Sequence, residues 1–320
     1  IKTVYLNMET NRRNFIKTVI TGLAGLTLLP TITNNDIFAE PTIKLRYKPE
    51  PESWSNNSVT LSWIGHSTVL INFYGKIIIT DPVLFNRVGL YIFGSSIGPS
   101  RLTPSALTID ELPKPDIVLL SHAHMDHTDY PTLEHLTEKY PNQIDVVVAY
   151  LTKDVINDLP WKSITVLDWK QSAVVSDINI SAHEVKHFGW RYPWEKDRSR
   201  GYFKDGRSFN SYLLKFNDKK IFFGGDTAYT DKLNHLISEK PDIAIMPIGA
   251  YNPWKWNHCN PEEALKMASD MGASYFVPIH TKTFKQSSEP FSEPIERLLS
   301  NYNKYNIKLA LDNIGQTFTL

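Results

Sequence analysis

Apolar and polar positions along the chain fall into two alternating patterns. Short apolar runs rich in Val, Ile and Phe, bounded by Gly, Pro, Asn or Asp, predict buried strands. They lie near 59–64, 68–80, 116–120, 145–149, 164–168, 178–186, 209–223, 243–248, 274–279 and 307–319. Between them, apolar residues at three- and four-residue spacing predict helices near 131–140, 152–158, 230–239, 261–271 and 292–304. The 261–271 helix has the clearest boundaries. Asn260 caps it, Pro261 opens it, Glu262 and Glu263 sit at its positive end, and Gly272 stops it. The alternation predicts an α/β domain, either an αββα sandwich or an open α/β sheet.

Composition narrows the functional classes. The chain has 320 residues, 42% hydrophobic and 21% charged, which is ordinary for a globular protein of this length. Its 34 basic residues balance 34 acidic ones, so no global basic field attracts nucleic acid, and no nucleic-acid partner is expected. Cys259 is the sole cysteine, so no intramolecular disulfide forms. The N-terminal stretch reads as an export signal. Met8 is the expected start, Arg12-Arg13 followed by Phe15 and Lys17 resembles a twin-arginine signal, and 19–29 is a mild apolar region too short to span a membrane. Residues 1–39 are therefore expected to be removed after Ala39, leaving a 40–320 domain in the periplasm or otherwise exported.

The densest chemistry lies in "DIVLLSHAHMDHTDYPTLEHL" at 116–136. Ile117 to Leu120 predicts a buried strand and Pro131 opens a helix, so His122, His124, Asp126 and His127 occupy a strand-to-helix loop. Four such groups in the order H-x-H-x-D-H have the spacing of metal ligands. Neutral imidazole with carboxylate suits zinc, with iron or manganese as alternatives. Zinc takes three or four protein ligands, so more are expected at other strand ends. "KKIFFGGDTAY" offers Asp226, "ASYFVPIHTKTF" offers His280, and "DINISAHEVKHFGWR" offers His187 at its end and His183 within. Jointly they complete two sites: His122, His124 and His187 for one ion, and Asp126, His127 and His280 for the other, with Asp226 bridging. Asp81 and Asp129 are candidates to orient metal-bound histidines, and Asp81 reads equally well as a turn residue before Pro82.

With these residues the sequence resembles the metallo-β-lactamase superfamily, and more narrowly the N-acyl phosphatidylethanolamine-hydrolysing phospholipase D family and its bacterial relatives. The narrower resemblance is carried by "LSWIGHSTVLINFYGKIIITDPVL" (61–84), "LPKPDIVLLSHAHMDHTDYPTL" (112–133), "VKHFGWR" (185–191), "FFGGDTAY" (222–229) and "HCNPEEAL" (258–265). It implies an αββα sandwich, and it places His66, in "WIGHST", near the site.

Two ions roughly 3.5–4 Å apart hold a hydroxide that is nucleophilic at neutral pH. Two dications set against Asp126, Asp226 and hydroxide leave one positive charge, which favours an anionic phosphodiester. The reading is an exported phospholipase D-type phosphodiesterase acting on N-acyl phosphatidylethanolamine or a related phospholipid. Asp126 and Asp226 sit at the reacting centre, and His258 is the candidate for headgroup contact or leaving-group protonation. A lactonase or phosphodiesterase for a small soluble substrate is the alternative, followed by a non-catalytic lipid- or metal-binding protein. Trp190, Trp254 and Trp256 lie in "HFGWRYPWEK" and "YNPWKWNH", beside proposed site residues, and predict contact with acyl chains and with a membrane surface.

Overall fold

A meander starts the first sheet: β1 (Val59–Gly65), β2 (Thr68–Phe73) and β3 (Lys76–Thr80) pair antiparallel. In this computed structural model, which describes residues 41–320, the expected export segment 1–39 lies outside the described residues. The apolar run 68–80 is two strands rather than one. Tyr74 and Gly75 both take positive φ, 53° and 86°, the backbone of a two-residue hairpin turn. β4 (Leu90–Ile92) and β5 (Ser95–Ile97) make a separate small hairpin that the hydrophobic pattern did not announce. The chain then returns to the first sheet with β6 (Ile117–Leu120), β7 (Asp145–Ala149) and β8 (Ser163–Leu167), all parallel to β3.

The second sheet repeats this plan. β9 (Ser172–Val175), β10 (Ile178–Glu184), β11 (Asn210–Phe216) and β12 (Lys219–Phe223) are antiparallel; β13 (Ile243–Pro247), β14 (Tyr275–Ile279) and β15 (Lys308–Leu309) continue parallel. The run 209–223 splits at Asn217, another left-handed turn residue. The run 307–319 splits between layers. β15 pairs with β14, whereas β16 (Thr317–Thr319) crosses over to pair with β1. The sheet orders are β16-β1-β2-β3-β6-β7-β8 and β15-β14-β13-β12-β11-β10-β9.

Every position of β1, β2, β6 and β7 is buried, so both faces of the first sheet are covered. One continuous apolar cluster, from Leu61 and Trp63 through Tyr212 and Phe222 to Phe276, joins the two sheets. Helices Tyr130–Lys139, Pro261–Asp270 and Glu293–Asn301 complete the αββα sandwich. The Pro261–Asp270 helix carries a full capping box between Asn260 and Glu263. Expected helices at 152–158 and 230–239 reduce to single 3-10 turns, Lys153–Val155 and Asn234–Leu236. Each presents too little buried apolar face to hold several turns, and helix nucleation is costly without one. Among the described residues no helix is long and apolar enough to cross a membrane.

Parallel strands bring their C-terminal ends to one rim, and the open side of an α/β sheet there is where ligands bind. The ends of β1, β3, β6, β12 and β14 lead directly into His66, Asp81, His122, Asp226 and His280.

Candidate metal centre

Backbone geometry at this rim is unusual at several site residues. His66, Asp81 and His280 adopt φ of 49°, 33° and 58°, a left-handed backbone that ordinary side chains avoid and that surrounding contacts must hold. Those contacts are present: His66 N donates to Thr283 Oγ1 at 2.6 Å, and Asp81 N to Leu119 O at 2.9 Å. Gly225 (φ 56°) precedes Asp226. A Cβ there would lie 2.7 Å from Ser121 Cβ, so glycine lets the Asp226 turn close onto the loop after β6.

All seven predicted ligands converge. His122 Nε2 lies 2.8 Å from His124 Nδ1, which lies 3.2 Å from His187 Nε2. Beside them, Asp126 Oδ2 is 3.7 Å from His127 Nε2 and 3.4 Å from His280 Nε2. Asp226 Oδ2 reaches both groups, at 3.1 Å from His127 Nε2, 3.1 Å from His280 Nε2 and 3.9 Å from His187 Nε2. His187 rather than His183 is the converging histidine. His183 Nδ1 instead pairs with His235 Nε2 at 2.8 Å, in a separate surface cluster.

The residues fit a divalent metal on two counts. His127 Nε2, His280 Nε2 and Asp226 Oδ1 are buried with no hydrogen-bond partner, although His127 and His280 Nε2 each stand 3.1 Å from Asp226 Oδ2. Buried polar atoms of this kind are costly unless a cation engages them. The outer nitrogens, by contrast, are engaged. His127 Nδ1 donates to Asp81 Oδ2 at 2.6 Å, and His187 Nδ1 donates to the Asn257 carbonyl at 2.9 Å. Ser121 donates its hydroxyl to Asp81 and so accepts from His122 Nδ1. These bonds fix the tautomers that leave each Nε2 lone pair facing inward.

Charge balance points the same way. Burial pushes Asp226 up, yet His127, His280 and His258 overcome it and hold its carboxylate well below the ordinary range. Burial likewise opposes a proton on His280, but Asp226 and Asp126 raise it to about 9. The carboxylates thus favour positive charge at this point, which a bound cation supplies.

Other sequence candidates divide. Asp81 has the contact expected of an orienting carboxylate, accepting from His127 Nδ1. Asp129 instead caps the Tyr130–Lys139 helix, accepting from Thr132 Oγ1 at 2.6 Å and from Thr132 N at 3.3 Å. A helix start needs such an acceptor, and this duty turns Asp129 away from the histidines. His66 Nε2 lies 3.0 Å from Asp126 Oδ2, inside the ligand cluster. His258 Nδ1 stands 3.7 Å from Asp226 Oδ2, and burial holds its imidazole neutral, with its pKa down to about 3. Trp190 and Trp254 line a cleft of about 550 Å³ over the centre, together with Phe188, Arg200 and His258. Trp256 does not line it. The residue is 68% exposed, with the Lys186 and Lys255 ammonium groups over its ring.

Four contributors escaped the sequence reading. Ser121 was adjacent to the motif but carried no metal signature. Asn257 acts through its backbone oxygen, which no side-chain pattern encodes. Arg191 is buried and donates from Nη1 to the Ala123 and Thr128 carbonyls at 2.7 and 3.0 Å, bracing both flanks of the ligand loop. Gln286 donates from Nε2 to Asp126 Oδ2 at 2.6 Å.

This fold and donor set define a metal-dependent hydrolase. The chain belongs to the beta-lactamase superfamily, whose domain matches residues 77–281. It is 31% identical over 266 residues to an uncharacterised protein of Mycobacterium tuberculosis, covering 81% of this chain and 68% of that one. It is also 30% identical over 282 residues to the mitochondrial N-acyl-phosphatidylethanolamine-hydrolyzing phospholipase D of Saccharomyces cerevisiae, covering 84% of this chain and 57% of that one. In fold it resembles a possible metal-dependent hydrolase from Veillonella parvula, with a TM-score of 0.62, 16% identity, and coverage of 82% of this chain and all of that one.

Proposed function

We propose that the protein is an exported, two-zinc phosphodiesterase of the phospholipase D type, cleaving N-acyl phosphatidylethanolamine or a related phospholipid. The observation that carries this reading is the cleft itself. It is lined by His124, Asp126, Asp226, His258 and His280 and also by Phe188, Trp190 and Trp254. Such a mixed lining suits a charged phosphodiester attached to acyl chains. The relatives named for N-acyl-phosphatidylethanolamine hydrolysis in yeast and Caenorhabditis elegans, at 30% and 29% identity, support the same substrate class.

Two bound ions would activate water and draw charge from a phosphate oxygen. The chain's own residues do the rest. His122, His124 and His187 would hold one ion, Asp126, His127 and His280 the other, and Asp226 both. Asp81, Ser121 and the Asn257 carbonyl keep the imidazoles in ligating tautomers. His258, neutral and facing the cleft, serves as a hydrogen-bond partner of the substrate rather than as a proton donor of ordinary imidazole strength. Trp254 and Trp256, 51% and 68% exposed, with Lys186 and Lys255 nearby, suit peripheral contact with a lipid headgroup layer.

The reaction is tested in ¹⁸O-water with N-acyl phosphatidylethanolamine in mixed micelles. Attack at phosphorus puts label into the phosphatidate and none into the released alcohol. Label in the alcohol excludes the mechanism, and lactone opening without phospholipid turnover excludes the substrate.

A further inference from the structure

The two ligand groups are braced by different residues. In the first group Ser121 holds the outer nitrogen of His122 and the Asn257 carbonyl that of His187, while Arg191 braces the backbone beside His124, whose outer Nε2 is buried without a partner. In the second group Asp81 fixes His127, but His280 Nδ1 is buried without a partner. Asp126 has no backbone donor among its recorded contacts. Its Oδ2 instead receives His66 Nε2 at 3.0 Å and Gln286 Nε2 at 2.6 Å.

These two contacts differ in kind. His66 Nε2 is within the cluster of ligand-capable atoms and could face an ion itself. Gln286 has no such capacity. An ionised carboxylate only accepts hydrogen bonds, so the Gln286 amide must present its NH₂, and an amide nitrogen does not ligate. A bond of this length restrains the carboxylate's rotation with Oδ2 held 3.4 Å from His280 Nε2 and 3.7 Å from His127 Nε2.

Gln286 is also well anchored. It lies six residues beyond His280 in a segment stitched to the rest of the fold. Thr283 O accepts from Leu102 N at 2.8 Å, Phe284 bridges to Arg101, and Ser288 N donates to Asn252 O at 2.9 Å. One segment therefore carries a second-group ligand and the brace of another second-group ligand. The Gln286 side chain donates to Asp126 of the second group.

We propose that Gln286 is a positioning residue that sets the affinity of the second ion by holding Asp126 in its ligating orientation. The proposal rests on the two-ion reading above. Outer partners of metal ligands contribute roughly 10–100-fold to affinity, and the selectivity follows from the geometry: only the Asp126, His127 and His280 group depends on this amide.

The experiment strips the full chain with chelator and returns zinc stepwise against a competing chromophoric chelator, with native mass spectrometry counting ions. Wild type is expected to take two ions. Gln286→Met, which keeps the length and removes the donor, is expected to weaken the second step about tenfold and to leave the first within twofold. The intact first step certifies the fold. Gln286→Ser gives the same selective loss with a smaller side chain, and Lys285→Met, an exposed neighbour, changes neither step. Two wild-type steps with neither shifted in Gln286→Met, or both shifted equally, overturn the proposal while leaving the two-ion reading intact. A wild type that takes one ion overturns both.

Discussion

Replacing Asp226 with asparagine tests the centre most directly, because this carboxylate stands within ion-pair distance of histidines of both ligand groups. The substitution keeps the shape and removes one negative charge. The side chain is 1% exposed, with Oδ2 at 3.1 Å from His127 Nε2 and His280 Nε2 and at 3.9 Å from His187 Nε2. Solvent cannot take over at this depth. Breaking a buried charge pairing by removing one partner costs about 3–5 kcal/mol, and each 1.4 kcal/mol is about tenfold in affinity. The expected loss is therefore about 10²–4×10³-fold, and because the oxygen is shared it falls on both ions. Stepwise zinc titration with chelator competition reads the two affinities separately, and near-ultraviolet circular dichroism confirms the fold. If one ion bound Asp226→Asn as tightly as wild type, that result would falsify the bridging role, and Asp226 would belong to a single ion.

Other substitutions separate the remaining roles. Asp81→Asn loses the acceptor for His127 Nδ1 and disturbs the Ser121 hydroxyl that backs His122, so the second ion should weaken about 10–100-fold and the first by less; an unchanged second step in the titration would contradict the assignment. His187→Ala should lower bound zinc measured by elemental analysis, whereas His183→Ala, whose ring pairs with His235, should not, and the reverse pattern would reassign the ligand. Burial and His235 depress the folded pKa of His183 from 6.5 to about 4, so its stabilising effect is full above pH 6.5 and is lost as pH falls toward 4. After allowance for solvent screening this amounts to about 1–2 kcal/mol. Urea unfolding of His183→Gln should show that much less destabilisation between pH 7 and pH 4 than wild type, and identical pH profiles would rule it out. Arg12→Lys with Arg13→Lys should leave precursor in the cytoplasm on fractionation; unchanged exported protein would dismiss the twin-arginine reading.

Local chemistry made much of this protein legible from its sequence. The H-x-H-x-D-H loop is contiguous, so its candidate ligands could be read directly. His187, Asp226 and His280 could be found because each closes or follows an apolar strand, and the fold presents such ends together. The Pro261–Asp270 helix was equally clear, since its cap and opening residues are neighbours in the chain. Other features depended on which distant segments meet. Asp81 and Asp129 look alike as isolated aspartates. Tertiary structure sends one to His127 across 46 positions and leaves the other to cap the helix beside it. The run 307–319 reads as one strand, yet its ends join different sheets, because pairing is decided by the edges that β14 and β1 leave open. Gln286 reaches Asp126 across 160 residues. Ligands are chosen by donor chemistry, which a sequence displays, whereas the groups that hold them are chosen by proximity, which arises only when the two sheets pack.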